Sequence, residues 1–320
     1  MMFSSFKNLR VLRKPVSCPA FPAGLCLLAL CITGCVNVRN DFSPFTGHSG
    51  IEFAKESAGL DVGYEPTPMV VVKAILDMGG VGPKDFLIDL GSGDGRIVIT
   101  AAKAFGARGC GVDLNPKLVA LSREYAEEKG VSGRVSFEVR DLFMTDLSRA
   151  DVVTMYLHPD VNLRLRPKLW RELRPGTRIV SHDFHLGDWR PDRIMTLDVD
   201  KPDRDDSLLY LWIMPAVVSG NWQWHLSLPD AERPFQGRFK QHFQNFEGLA
   251  GPGKEMRPLF ETALRGNRIG FSLVSDFDGR LVRQDYEGFV RGDVIEGTVT
   301  LSGGVRKIRL KWRALRAAGE

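Results

Sequence analysis

The run Phe86-Leu87-Ile88 passes without a break into Asp89-Leu90-Gly91-Ser92-Gly93-Asp94-Gly95-Arg96, and an amphipathic helical pattern begins at once. A continuous apolar run of this length describes a strand buried on both faces, as strands are inside a parallel sheet. Glycines placed directly after it let the chain turn sharply and bring backbone close to a ligand. Strand, glycine turn and helix make one βα unit, which needs further layers to cover its faces.

Residues 64–215 supply those layers. Further strands are expected at 109–112, 135–139, 152–156 and 178–181, with helices near 96–105, 116–129 and 162–173. Thr67-Pro68 and Asn115-Pro116 both read as helix starts, an N-cap followed by proline at the first helical position. In the first helix Val70, Val71, Ala74, Ile75 and Met78 make the stripe to be buried, and Gly79-Gly80 ends it. Segments 194–199 and 208–214 read as two closing strands. The expected fold class is α/β, an open doubly wound Rossmann-like sheet, whose ligands bind at the carboxyl ends of the strands.

The loop chemistry narrows the ligand. A dinucleotide fingerprint is spaced G-x-G-x-x-G, whereas here the third glycine comes one residue early and Arg96 takes its place. Two acids, Asp89 and Asp94, would repel a pyrophosphate by about 1 kcal/mol in water and more when shielded. A cationic ligand bearing an ammonium group would be attracted by them, and S-adenosylmethionine is such a ligand. Asp113 ends the second strand, where an acid can accept hydrogen bonds from ribose hydroxyls. Asp141 follows the third, where a carboxylate can meet the adenine amino group.

These segments, with Tyr64-Glu65-Pro66-Thr67-Pro68, Gly111-Val112-Asp113-Leu114-Asn115-Pro116 and Arg140-Asp141-Leu142-Phe143, resemble class I S-adenosylmethionine-dependent methyltransferases. Within that class they are similar in particular to the seven-strand protein-lysine methyltransferases related to the mitochondrial enzymes that modify ATP synthase. The resemblance covers about residues 60–215. It implies that Tyr64 and Thr67 cover the methionine end of the cofactor, that Asp89, Gly91, Gly93 and Asp94 line it, and that Asp113 holds the ribose and Asp141 the adenine. The chain departs from the family's substrate segment at Tyr156-Leu157-His158-Pro159-Asp160-Val161-Asn162, where Asn162 reads equally as a helix N-cap.

Methyl transfer to an amine needs alignment and a deprotonated nucleophile. Tyr156 and His158 are the expected substrate-site residues, from a set that also contains Asp160, His182, Asp183 and His185. The His182-Asp183-Phe184-His185 spacing lacks the further ligands a closed metal site requires, so no metal is expected. The expected partner is a methyl acceptor, with a protein lysine as the group the resemblance implies. A methyltransferase of a small molecule or lipid at the membrane surface, and a non-catalytic cofactor-fold binding protein, are the competing functions.

The first 35 residues read as an address. Lys7, Arg10, Arg13 and Lys14 precede an apolar run centred on residues 25–32, the layout of a secretory signal. It ends in Ile32-Thr33-Gly34-Cys35, which resembles a bacterial lipobox with Cys35 as the lipidated residue. A tether over 36–60 would follow, placing the protein outside the cytoplasm on a lipid anchor in the membrane; a signal left unused would leave it cytoplasmic. These four cations account for the whole net charge of +4, so the remainder is neutral and no nucleic-acid partner is expected. Four of the five cysteines also lie there, and Cys110 alone follows.

After Pro215 the helical pattern stops. Alternating segments at 221–228, 235–243, 256–264, 268–274, 281–289, 294–301 and 306–315 are separated by turn signals such as Asp278-Gly279 and Gly292-Asp293. This spacing predicts a small antiparallel barrel or sandwich. The expected organisation is thus a signal (1–35), a tether (36–60), a cofactor domain (61–215) and a β-rich accessory domain (216–320). Trp222, Trp224, Phe239, Phe243 and Phe246 are expected in the core of the last. Its final strand carries Arg306, Lys307, Arg309, Lys311, Arg313 and Arg316 as a solvated outer face.

Overall fold

The computed structural model describes residues 64–199, 206–228, 231–303 and 307–317. The expected signal, Cys35 and the tether lie outside the described residues. No helix among the described residues is long and apolar enough to cross a membrane.

Helix α1 (Met69–Met78) precedes strand β1 (Phe86–Leu90). Then come α2 (Arg96–Phe105), β2 (Arg108–Asp113), α3 (Pro116–Glu128), β3 (Val135–Val139), a single 3-10 turn (Leu142–Met144), β4 (Val152–Met155), α4 (Pro159–Glu172) and β5 (Arg178–His182). Strands β6 (Arg193–Asp198) and β7 (Asp206–Ile213) complete a sheet ordered β3-β2-β1-β4-β5-β7-β6. Strands β1 to β5 pair in parallel, and β7 runs antiparallel to both β5 and β6. From β1 the chain adds β2 and β3 on one side and then crosses back to place β4 on the other, so the switch point of the sheet lies between β1 and β4.

Three local expectations give way to packing. Pro68, not Thr67, occupies the cap position of α1, with no side-chain cap, because the Thr67 hydroxyl points to His182 instead. In α1 the buried set is Val71, Val72, Ile75, Leu76 and Met78, while Val70 is 59% exposed. Helix α4 starts at Pro159 with His158 at the cap. Asn162 is therefore not a cap but an interior residue, fully buried, donating through Nδ2 to the Phe184 carbonyl. Asn115 does cap α3, its Oδ1 accepting from the Lys117 and Leu118 amides.

The second sheet is antiparallel, ordered β11-β10-β9-β8-β16-β15-β14-β13-β12. Its strands are β8 (Gly220–Ser227), β9 (Glu232–His242), β10 (Asn245–Pro252), β11 (Arg257–Pro258), β12 (Phe260–Arg265), β13 (Arg268–Phe277), β14 (Arg280–Arg291), β15 (Val294–Ser302) and β16 (Lys307–Arg316). The sheet curls until β10 approaches β12 and β13, a nearly closed barrel. Alternate residues point inward, so Trp222, Trp224, Phe239, Phe246, Phe271, Tyr286 and Trp312 fill its core. On β16 the outward side chains include Arg309, Lys311 and Arg313, and Arg313 pairs with Glu296 on β15. Phe243 leaves this core for the first sheet, where it stacks on Trp189 with ring centres 5.0 Å apart.

Candidate active site

At the carboxyl ends of β1 and β4 lies a cavity of about 610 Å³. Tyr64, Thr67, Asp89, Gly91, Gly93, Asp94, Asp113, Asp141, Tyr156 and His158 all line it.

Its floor is Asp89, 2% exposed, whose Oδ1 accepts from the Thr154 hydroxyl at 2.6 Å. Its pKa is raised to about 7: burial pushes it up most, the hydrogen bond from Thr154 pulls it down, and the Asp113 and Asp94 charges push it up. Asp113 closes the turn beside it. Its Oδ2 accepts from the Gly93 amide at 2.9 Å and its Oδ1 from the Asn115 amide at 2.8 Å. Burial holds Asp113 above the usual carboxylate range, against the pull of these amides.

The glycines are sterically required. Gly93 has φ 52°, and a Cβ there would stand 2.5 Å from Tyr64 Cε2. The Tyr64 ring therefore lies directly on the loop. Its phenol is held above its ordinary value, by burial first and by the Asp94 carboxylate next. At Gly91, φ 75°, a Cβ would stand 2.8 Å from Leu157 Cδ2.

Asp94 is placed differently from a free anion awaiting a cationic ligand. Arg96 grips it, with Nε 2.9 Å from Oδ1 and Nη2 2.5 Å from Oδ2. The same guanidinium donates through Nη1 to the Thr67 carbonyl at 2.8 Å. Asp94 thus anchors the segment that carries Tyr64, and Asp89 and Asp113 are left as the acids at the strand ends. Asp141 caps the 3-10 turn, its Oδ1 accepting from the Phe143 amide at 2.8 Å.

The other end of the cavity is aromatic. Tyr156, His158 and Phe184 cluster along it, while Phe143, beside Asp141, lines the cavity with Arg164 seated 4.8 Å over its ring. Phe184, Phe143 and Arg164 were not singled out from the sequence; a lone aromatic after a strand carries no periodic signal. His182 and Asp183 stand behind this wall. The His182 imidazole is fully buried, with Nε2 3.1 Å from Ser207 Oγ and 3.3 Å from Asp183 Oδ2. Its ring lies 4.0 Å from that of Tyr156. His185 and Asp160 are exposed, and Asp160 Oδ1 lies 3.5 Å from His158 Nδ1. Among the described residues no group of His, Cys, Asp and Glu could hold a metal ion.

Residues 89–193 match the family model described as the ANTKMT methyltransferase domain. A protein-lysine N-methyltransferase of Saccharolobus islandicus is 44% identical over 138 residues, 43% of this chain and 86% of that protein. The chain belongs to this S-adenosylmethionine-dependent methyltransferase family. A human lysine N-methyltransferase named for ATP synthase is 40% identical over 36% of this chain and 48% of that protein. The adenine nucleotide translocase lysine N-methyltransferase of Mus musculus is 39% identical over 35% of this chain and 53% of that protein. The chain thus spans about half the length of these mammalian relatives. An RNA methyltransferase from Salinibacter ruber, solved with S-adenosyl-L-homocysteine, is 47% identical over 48% of this chain and 96% of that one, with a TM-score of 0.45. This methyltransferase uses S-adenosylmethionine, and the cavity fits that cofactor: positive-φ glycines open the loop backbone to the cavity, and the Asp89 and Asp113 carboxylates line it.

Proposed function

We propose that this methyltransferase modifies the side-chain amine of a protein lysine. The observation that carries the reading is that one cavity is lined both by carboxylates, Asp89 and Asp113, and by an aromatic cluster of Tyr156, His158 and Phe184. The 44% identity to an archaeal protein-lysine N-methyltransferase supports it.

S-adenosylmethionine, when bound, supplies a methyl group activated by its sulfonium. Asp89 and Asp113 provide negative charge for it, and Tyr64 and Thr67 cover its methionine end. Gly91 and Gly93 would let the loop come close, Asp113 would hold the ribose and Asp141 the adenine, while Asp94 acts through Arg96 to fix the covering segment. Aromatic faces attract an alkylammonium group, so Tyr156 and Phe184 guide the lysine into line. The amine must shed a proton before it attacks; the His158 imidazole is the group there to receive it, and the Tyr156 hydroxyl would orient the amine by accepting its N–H.

The test is transfer of tritium from labelled S-adenosylmethionine to proteins of a cell extract, with the labelled residue assigned by mass spectrometry. Label on lysine that disappears with Asp113→Ala supports the reading; label confined to RNA, lipid or small molecules overturns it. A lipid tether at Cys35, holding the enzyme at a membrane outside the cytoplasm, is a second proposal resting on the N-terminal sequence alone. Cell fractionation and the mass of the N-terminal peptide decide it.

A further inference from the structure

The turn between β9 and β10 consists of Phe243 and Gln244, since His242 pairs directly with Asn245. Phe243 has φ 53°. Two-residue hairpins that need this conformation favour Asn, Asp or Gly, and a bulky residue there is a genuine outlier. The strain is offset outside the barrel. Besides lying parallel to Trp189, the Phe243 ring meets Trp170 edge-on at 5.5 Å and has the Arg166 guanidinium 5.4 Å above it. Its neighbours join the same contact: His242 Nε2 lies 3.4 Å from Asp188 Oδ2, and Gln244 Nε2 donates to the Arg190 carbonyl at 2.6 Å. Asp188 also pairs with Arg166.

Each of these partners belongs to α4 or to the connection from β5 to β6. Those two segments supply His158, Arg164 and Phe184 to the cavity wall that Tyr156 also lines. Helix α4 carries Val161 and Arg164, with His158 at its cap, and the connection carries Phe184. They are tied to each other, because the Phe184 carbonyl accepts from both Asn162 Nδ2 and Ser181 Oγ. The acidic end is held by other means, through Tyr64 on Gly93 and Asp113 on the loop amide.

We propose that Phe243 is a positioning residue for the acceptor end of the site, by which the barrel braces α4 and the β5–β6 connection without setting the affinity for cofactor. The assignment of that end to the acceptor rests on the function proposed above. A hairpin serving only the barrel would be better made with asparagine at this position, so Phe243→Asn separates the two roles: it relieves the backbone and removes the plug.

The experiment compares the full chain with its Phe243→Asn and Phe243→Tyr forms, folding being verified by circular dichroism. In Phe243→Asn, amide hydrogen exchange should quicken by about tenfold or more in peptides covering 158–172 and 183–190, as a loosened local unit does. Affinity for S-adenosyl-L-homocysteine should stay within about twofold, and tritium transfer to protein in an extract should fall by about tenfold or more, as misplacement of reacting groups costs. Phe243→Tyr keeps the stacked ring and should restore both. Unchanged exchange in those peptides overturns the proposal, as does a loss of cofactor affinity in step with transfer. An unaltered chain that labels no protein would sink the lysine reading, and the exchange comparison would still decide this one.

Discussion

Asp89 and Thr154 join the ends of β1 and β4 at the switch point of the sheet by a hydroxyl-to-carboxylate hydrogen bond of 2.6 Å. The carboxyl sits on the floor of the cavity with its pKa raised to about 7. A raised value means that the folded protein holds this proton more tightly than the unfolded chain does. Its stabilising contribution is therefore complete in acid and is lost as pH rises through about 7. Cofactor binding has the opposite sign, because the cationic ligand favours the ionised carboxylate. Calorimetric affinity for S-adenosylmethionine should rise by up to about tenfold per pH unit below 7 and level off above it. Asp89→Asn should bind more weakly with that slope removed; a slope that survives the substitution assigns the titration to another group. Thr154→Val removes the hydrogen bond that lowers the pKa and should move the midpoint upward.

Arg96 and Asp94 make a different prediction. The pair is largely buried, with side chains 15% and 5% exposed. Arg96→Ala would strand a buried carboxylate and free the Thr67 carbonyl, at a cost of about 3 kcal/mol in unfolding free energy. Asp94→Asn with Arg96→Met removes both charges and should recover much of that loss in a denaturant titration. Recovery is not expected if Asp94 serves mainly as a direct ligand site, in which case both variants lose cofactor equally.

Gly93 and Tyr64 are coupled by contact. An alanine at φ 52° with its Cβ 2.5 Å from the Tyr64 ring carries backbone strain of about 1 to 2 kcal/mol and must push the ring off the loop. Gly93→Ala should weaken cofactor binding by about tenfold or more, the equivalent of about 1.4 kcal/mol. In the Tyr64→Ala background the same substitution should cost less, since the clash is gone. Additive losses would show that Tyr64 does not lie on the loop in solution.

Strands β1 and β4 were legible as short apolar runs, and Asp89, Asp113 and Asp141 stand at or just past the ends of β1, β2 and β3. The acids at those ends pointed to the cavity. The turn from β9 into β10 and β10 itself were not legible. Asn245–Pro252 contains Gly248, Gly251 and Pro252, which break the alternation a strand shows, yet a Cβ at Gly248 would stand 2.4 Å from the Arg238 carbonyl oxygen, a close approach that needs glycine. The neutralising role of Arg96 was hidden because Asp94 precedes it by two residues across a helix start, a spacing with no helical or strand signature. Phe184 and Phe243 depend on which segments meet in space, and neither local pattern nor composition encodes that.

His182 gives the last prediction. It is fully buried between the Ser207 hydroxyl, 3.1 Å from Nε2, and Thr67 Oγ1, 3.5 Å from Nδ1, with the Tyr156 ring against its face. It does not line the cavity, so its effect on the chemistry must pass through Tyr156 and Thr67. His182→Phe preserves a ring beneath Tyr156 but takes the imidazole from Ser207 and from the buried Asp183 carboxylate 3.3 Å away, and should cost about 3 kcal/mol for the polar groups left unsatisfied. His182→Ala adds a cavity and should cost about 2 kcal/mol more, with Tyr156 now unsupported. Methyl transfer should therefore fall much further in the alanine variant than in the phenylalanine one, while thermal unfolding follows the same order. Equal transfer by the two variants would mean that the ring beneath Tyr156 is not what holds the acceptor wall in place.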